Sequence, residues 1–223
     1  HLEYLQQHAD GYRYSAFCAH YRDWLGRQRL SMRQVHQAGE KLFVDYSGKR
    51  REVVEAATGV VRPVELFVAV LGASNYTFAE ATETQRSADF IQSHGRAVEY
   101  LGGVPAAIVP DQLKSGIRDA CRYEPILQRT YEEWAAHYTT VILPARPAKP
   151  RDKAKVEVAV QVAQRWILAR LRHETFFSLA ALNVRIRELL VDLNARPMKG
   201  YGGASRRDLF TRFDQPALRP LPT

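Results

Sequence analysis

Three β-rich runs follow one another in "KLFVDYSGKRREVVEAATGVVRPVELFVAVLG", residues 41–72, with turn signals at Ser47-Gly48 and Thr58-Gly59 between them. Runs this close in sequence pair as an antiparallel meander. Beyond residue 72 the pattern alternates. A helical stretch with Ala88, Ile91, Ala97, Val98 and Leu101 as its apolar face leads to "PAAIVPD", too brief for a helix and suited to a buried parallel strand. The helical "ILQRTYEEWAAHY" and the short strand "TTVILP" come next. A basic, proline-punctuated loop then leads into a long helix, "KVEVAVQVAQRWILARLR", and a last helix runs through "LAALNVRIRELLVDLN". The order βββαβαβα with right-handed crossovers gives an α/β fold: a mixed five-stranded sheet flanked by helices, the first strand beside the fourth.

Two shorter regions flank this core. In residues 1–36, "LEYLQQHADGYRYSAFCAHYRDWL" reads as helix, glycine-containing turn, helix, with Ser15 as a cap and Phe17, Tyr21, Trp24 and Leu25 on one face. With Arg13, Arg22, Arg27, Arg29 and Arg33 around it, this is either a truncated DNA-binding helix-turn-helix or an ordinary helical hairpin. The core is expected over 37–195. Residues 196–223, with Pro197, Pro216, Pro220 and Pro222, read as an extended linker toward a further domain. His1 in place of Met suggests a piece of a longer protein.

The 223 residues carry 32 Lys+Arg against 24 Asp+Glu, a formal charge of +8 that favours a polyanionic partner, nucleic acid before membrane. Cys18 and Cys121 form no zinc-binding spacing, and a reduced, cytoplasmic setting is the simpler reading. The longest apolar run, "VELFVAVLGA", is too short to span a bilayer, so no membrane association is expected. His94, His137 and His173 read as structural or surface residues.

Against this background Asp45 is anomalous. It follows Leu42, Phe43 and Val44 where the strand calls for another apolar residue, and an isolated buried carboxylate is costly unless it is paired, hydrogen-bonded, neutralised or metal-bound. Asp111 directly follows the fourth strand. If the first and fourth strands are parallel neighbours, both carboxylates emerge at one end of the sheet, where open α/β sheets place their ligands. Glu157, in the first turn of the long helix, borders an apolar stripe of Val156, Ala159, Val160, Ala163, Trp166 and Ile167 and could lean across that sheet end. Three crowded carboxylates call for a cation. Hard oxygen donors suit Mg2+, with Mn2+ able to substitute, and a pair of such ions serves phosphodiester chemistry. Lys114 follows Asp111, and Arg146, Lys149, Arg151, Lys153 and Lys155 crowd the loop before Glu157. Taken singly, each acid also has a structural reading: a turn at Asp45, a cap at Asp111, a surface ion pair of Glu157 with Lys153.

The order Asp, Asp, Glu on a ribonuclease-H-like fold resembles that of DDE transposases and retroviral-type integrases. The stretches "MRQVHQAGEKLFVDYSG", "PDQLKSGI", "PRDKAKVEVAVQ", "RWILARLRHETFFSLAALN" and "RPMKGYGGASRRDLF" resemble IstA-type transposases of the bacterial insertion-sequence family that encodes two proteins. The resemblance implies that Asp45, Asp111 and Glu157 are the catalytic, metal-binding acids. It further implies transposon ends and target DNA as substrates, assembly of several copies on DNA, an AAA+ ATPase helper and a place at the bacterial nucleoid. Many DDE enzymes carry Lys or Arg two turns after the Glu. Gln164 stands there in this chain, with Arg165 next to it as a further DNA-binding candidate. Two other readings remain: a cellular ribonuclease or junction nuclease on the same fold, which would need a fourth acid, and a DNA-binding module without catalysis.

Overall fold

The computed structural model describes residues 1–27, 35–110, 125–143, 157–158 and 160–222. Asp111, Lys114, Arg146, Lys149, Arg151, Lys153 and Lys155 lie outside the described residues. The chain divides into two units, His1–Val35 and His36–Thr223.

In the first unit α1 (Leu2–Gln7) and α2 (Tyr14–Arg27) are joined by a turn through Gly11, where a Cβ would come within 2.5 Å of the Tyr4 ring. Tyr4 packs on Phe17 at 5.0 Å between centroids, and Phe17, Tyr21 and Trp24 stack along α2 at the spacing read from the sequence. Ser15 is no cap. The helix is already formed at Tyr14, and the Phe17 N–H donates to the Arg13 carbonyl at 2.9 Å.

The second unit is built on a mixed sheet of β1 (Lys41–Tyr46), β2 (Arg51–Val54), β3 (Val61–Leu71), β4 (Thr77–Thr82), β5 (Ala107–Pro110) and β6 (Val141–Ile142). β3 pairs antiparallel with β1, β2 and β4, while β5 runs parallel to both β1 and β6. The sheet therefore has six strand segments where five were expected, the addition being β4, and two local readings change. First, Ser47-Gly48 is an interruption and not a hairpin. The Ser47 N–H still donates to Leu66 at 2.7 Å, continuing the β1 ladder, and the chain resumes as β2 opposite Val64. Residues 48–50 bulge out between, held by the Ser47 hydroxyl on Lys49. Second, β4 was not foreseen. Its six residues are all buried, and Glu80 among them is neutralised by Arg96, whose Nε and Nη2 donate at 2.7 and 2.8 Å. Pro63 fits within β3 because its neighbours Arg62 and Val64 serve the β2 ladder, while β4 on the other side ends opposite Glu65.

Helices cover both faces. On one face Val64, Leu66, Val68 and Val70 of β3 pack with Val160, Ala163, Ile167 and Leu171 of α5 (helical residues 157–158 and 160–171) and with Leu182, Ile186 and Leu190 of α6 (Leu179–Ala195). On the other, Leu42, Val44, Phe67 and Leu71 pack with Phe90, Ala97 and Leu101 of α3 (Ser87–Leu101) and with Tyr131 and Trp134 of α4 (Pro125–His137). Ala88 is exposed and Ile91 only half-buried. Their expected core positions go to Phe90, Ser93 and His94. His94 is fully buried, its Nδ1 donating to the Phe90 carbonyl at 2.6 Å and its Nε2 accepting from Tyr131 at 3.0 Å; burial pushes its pKa down to about 4. His137 and His173 are exposed.

Residues 196–222, read from the sequence as an extended linker, carry helical turns over 206–217. α7 (Arg206–Leu209) starts from a Ser205 capping box and continues through a π turn, Phe210–Asp214, and a 3-10 turn, Gln215–Ala217. Phe210 stacks on Tyr76 at 4.2 Å, and Arg219 pairs with Val104. Asp214, completely buried, accepts the Gly39 N–H at 2.7 Å and the Ser74 N–H at 2.9 Å. Gly39, at φ 66°, is required: a Cβ would lie 2.6 Å from the Ala217 carbonyl oxygen. Among the described residues no helix is long and apolar enough to cross a membrane.

Candidate active site

Asp45 is the fifth residue of β1, half-buried and flanked by the buried Val44 and Tyr46. Alternation decides its direction. Leu42, Val44 and Tyr46 face α3 and α4, while Asp45 stands opposite Val68, whose side chain joins the α5 and α6 core. Its Oδ1 accepts the N–H of Tyr46 at 2.8 Å, tying the carboxylate to the backbone where β1 ends. Val44, one residue earlier, pairs with Pro110, the last residue of parallel β5 and the chain neighbour of Asp111. The two strands expected to carry the aspartates are thus adjacent, parallel and in register.

Glu157 is exposed at the start of the described part of α5, one turn before the buried Val160. That helix covers the same sheet face on which Asp45 stands. Its position is fixed by Gln164, two turns beyond Glu157, whose Nε2 donates to the Ser47 hydroxyl at 2.9 Å. Ser47 is itself buried, two residues after Asp45. Gln164 therefore bolts the helix to the strand that bears Asp45, a role that spacing alone does not reveal, since Gln164 and Ser47 are 117 positions apart. The helix turns π-helical at Gln164–Leu168, a distortion common at functional sites. At its far end Arg51 of β2 donates to the carbonyls of Leu171 and Glu174. Arg165 is exposed, available to a polyanion.

The acids buried within the sheet lie elsewhere. Glu65 and Glu80 share the α3 face with Phe67 and Phe78, and each is paired, Glu65 with Arg50 at 2.6 Å and Glu80 with Arg96. Neither can serve as a fourth acid beside Asp45, so the nuclease alternative gains no support. Among the described residues no group of three His, Cys, Asp or Glu forms a metal cluster.

Three antiparallel strand positions followed by parallel β5 and β6, with helices on both faces, define a ribonuclease-H-like fold, that of integrase catalytic cores. The HTLV-2 integrase catalytic core domain in complex with magnesium shares it at TM-score 0.55 and 15% identity, over 79% of this chain and 99% of that one. No protein-family model matches the chain. Its sequence is 55% identical over 211 residues to the "Putative transposase for insertion sequence IS408" of Burkholderia multivorans, covering 95% of this chain and 40% of that protein. It is 52% identical over 222 residues to the "Putative transposase for insertion sequence IS1162" of Pseudomonas fluorescens, covering 99% and 39%. The chain is thus homologous, over nearly its whole length, to insertion-sequence transposases, and it spans about two fifths of the length of these curated relatives.

Proposed function

We propose that this chain is the catalytic core of a DDE transposase that cleaves DNA at transposon ends and joins those ends to a target, with Asp45, Asp111 and Glu157 as its acids. One observation carries the reading. Asp45 stands one residue from the end of a strand that pairs in parallel with the strand leading directly into Asp111, on the sheet face covered by the helix that bears Glu157. The homology to transposases and the integrase-core fold support the same activity.

The donor set fits a hard divalent cation, since all three groups are carboxylates. Magnesium, as bound to the HTLV-2 core, is the ion of choice, with manganese able to substitute. When bound, two such ions polarise the scissile phosphate and stabilise charge on the attacking and leaving oxygens. The chain's own part is placement. The Tyr46 N–H orients the Asp45 carboxylate, and the Gln164–Ser47 bond ties α5, the helix that bears Glu157, to the end of β1. Arg165, Lys114 and the basic residues from Arg146 to Lys155 would contact DNA phosphates. Transposon ends and target DNA as substrates, several copies assembled on DNA, an AAA+ ATPase helper and a cytoplasmic, nucleoid-associated setting complete the proposal.

The test is joining of a pre-cut duplex end bearing a free 3′-hydroxyl to target DNA. Joined product is expected in Mg2+ or Mn2+ and none in excess chelator. Tight DNA binding with no nicking or joining in either ion would leave a DNA-binding module and overturn the proposal.

A further inference from the structure

A cluster of cations lies at the opposite end of α5. The Trp166 ring is flanked by two guanidinium groups, with the Cζ of Arg170 3.3 Å and that of Arg196 3.9 Å from its centroid. Arg170 is one turn along the same helix, and Arg196 caps α6. Arg206 reaches the same place, donating to the Leu193 carbonyl at 3.3 Å. Burial lowers the Arg206 pKa, and the Arg196 charge acts in the same direction. Among the described residues no acid is paired with any of the three. Glu174 and Glu188 are held by Arg185 at 3.1 and 2.7 Å, and Asp208 is engaged in the Ser205 capping box. Stacking on indole stabilises a cation by roughly 0.5–2 kcal/mol, and it leaves the charge and the remaining N–H edges available, Arg170 using one Nη1 hydrogen on the Trp166 carbonyl at 3.3 Å.

We propose that Arg170 and Arg196, stacked on Trp166, form with neighbouring Arg206 a second contact surface for the phosphate backbone of duplex DNA. The inference rests on the reading of DNA as substrate and adds a site remote from the acids. Arg170 lies thirteen residues beyond Glu157 on α5, about 20 Å at the helical rise. That is the length of roughly six base pairs. A duplex engaged at the Glu157 end can therefore run on to the cluster. The indole fixes Arg170 and Arg196 in advance, so little side-chain freedom is lost when phosphate binds.

The experiment measures fluorescence anisotropy of a labelled 30-base-pair duplex against KCl concentration for the parent and for Arg170→Gln/Arg196→Gln. Each lost phosphate contact should flatten the plot of log affinity against log salt by about 0.9, so the double variant should lose nearly two units of slope and about tenfold or more in low-salt affinity. Arg170→Lys/Arg196→Lys, which keeps both charges, should retain the parent slope. If circular dichroism shows the glutamine double variant unfolded, Arg170→Gln alone carries the test with half the change in slope. An unchanged slope in the folded glutamine variant overturns the inference. Failure of the parent to bind duplex would instead overturn the reading of DNA as substrate.

Discussion

Glu157→Gln is expected to abolish DNA cleavage and strand transfer together while leaving DNA affinity nearly unchanged. The substitution keeps the size and shape of an exposed side chain one turn before the buried Val160, so the packing of α5 is untouched. On the proposed reading, what it removes is one negative charge and one hard oxygen ligand of the metal site. In the proposed activity both reactions are in-line displacements at phosphorus, one with water as nucleophile and one with a 3′-hydroxyl, drawing on the same acids. Misplacing that electrostatic stabilisation costs several kcal/mol, on the order of a thousandfold or more in rate. On the proposed reading DNA affinity rests on Lys and Arg and should survive. Single-turnover cleavage and joining assays beside a binding titration separate these effects. A variant that joins ends at a rate near the parent's would reduce Glu157 to a helix-edge acid.

The second large effect is on stability. Asp214→Ala removes the carboxylate that accepts from Gly39 and Ser74, leaving two backbone N–H groups without their acceptor in a fully buried setting. Removing one partner of such a buried polar network costs about 3–5 kcal/mol. For a unit of this size that lowers the melting temperature by about 10 °C or more. Asp214→Asn, which keeps a carbonyl acceptor, should fall between the two. A melting temperature for Asp214→Ala within about 2 °C of the parent would show that the segment beyond Arg196 contributes little to the fold.

That segment illustrates where sequence reading stops. Pro197, Pro216, Pro220 and Pro222 suggested extended chain, but what folds it back is long-range: Phe210 on Tyr76, Asp214 on Gly39 and Ser74, and Arg219 on Val104. None of these has a local signature. β4 was hidden for a related reason. Glu80 interrupts its apolar character, and its burial is tolerated only because Arg96 arrives from α3. By contrast, β1 and β5 were legible because short apolar runs bounded by turn residues admit few alternatives, and their parallel pairing follows from the crossover between them. Asp45 was legible as a local anomaly, a carboxylate in an otherwise buried strand. Gln164 was visible only as a departure from the expected Lys or Arg; its bond to Ser47 needed the fold. Of the Trp166 cluster, Arg170 stands at helical spacing from the ring, but Arg196 comes from another helix.

The central claim is that carboxylates from two adjacent strands and one helix make a single metal site. Its most direct test is calorimetric titration of Mn2+ into the parent, Asp45→Asn and Asp111→Asn. Weak, saturable binding is expected in the parent, lost in both variants alike, because on the proposed reading Asp45 and Asp111 share one ion. Binding that persists unchanged in either variant would contradict the account.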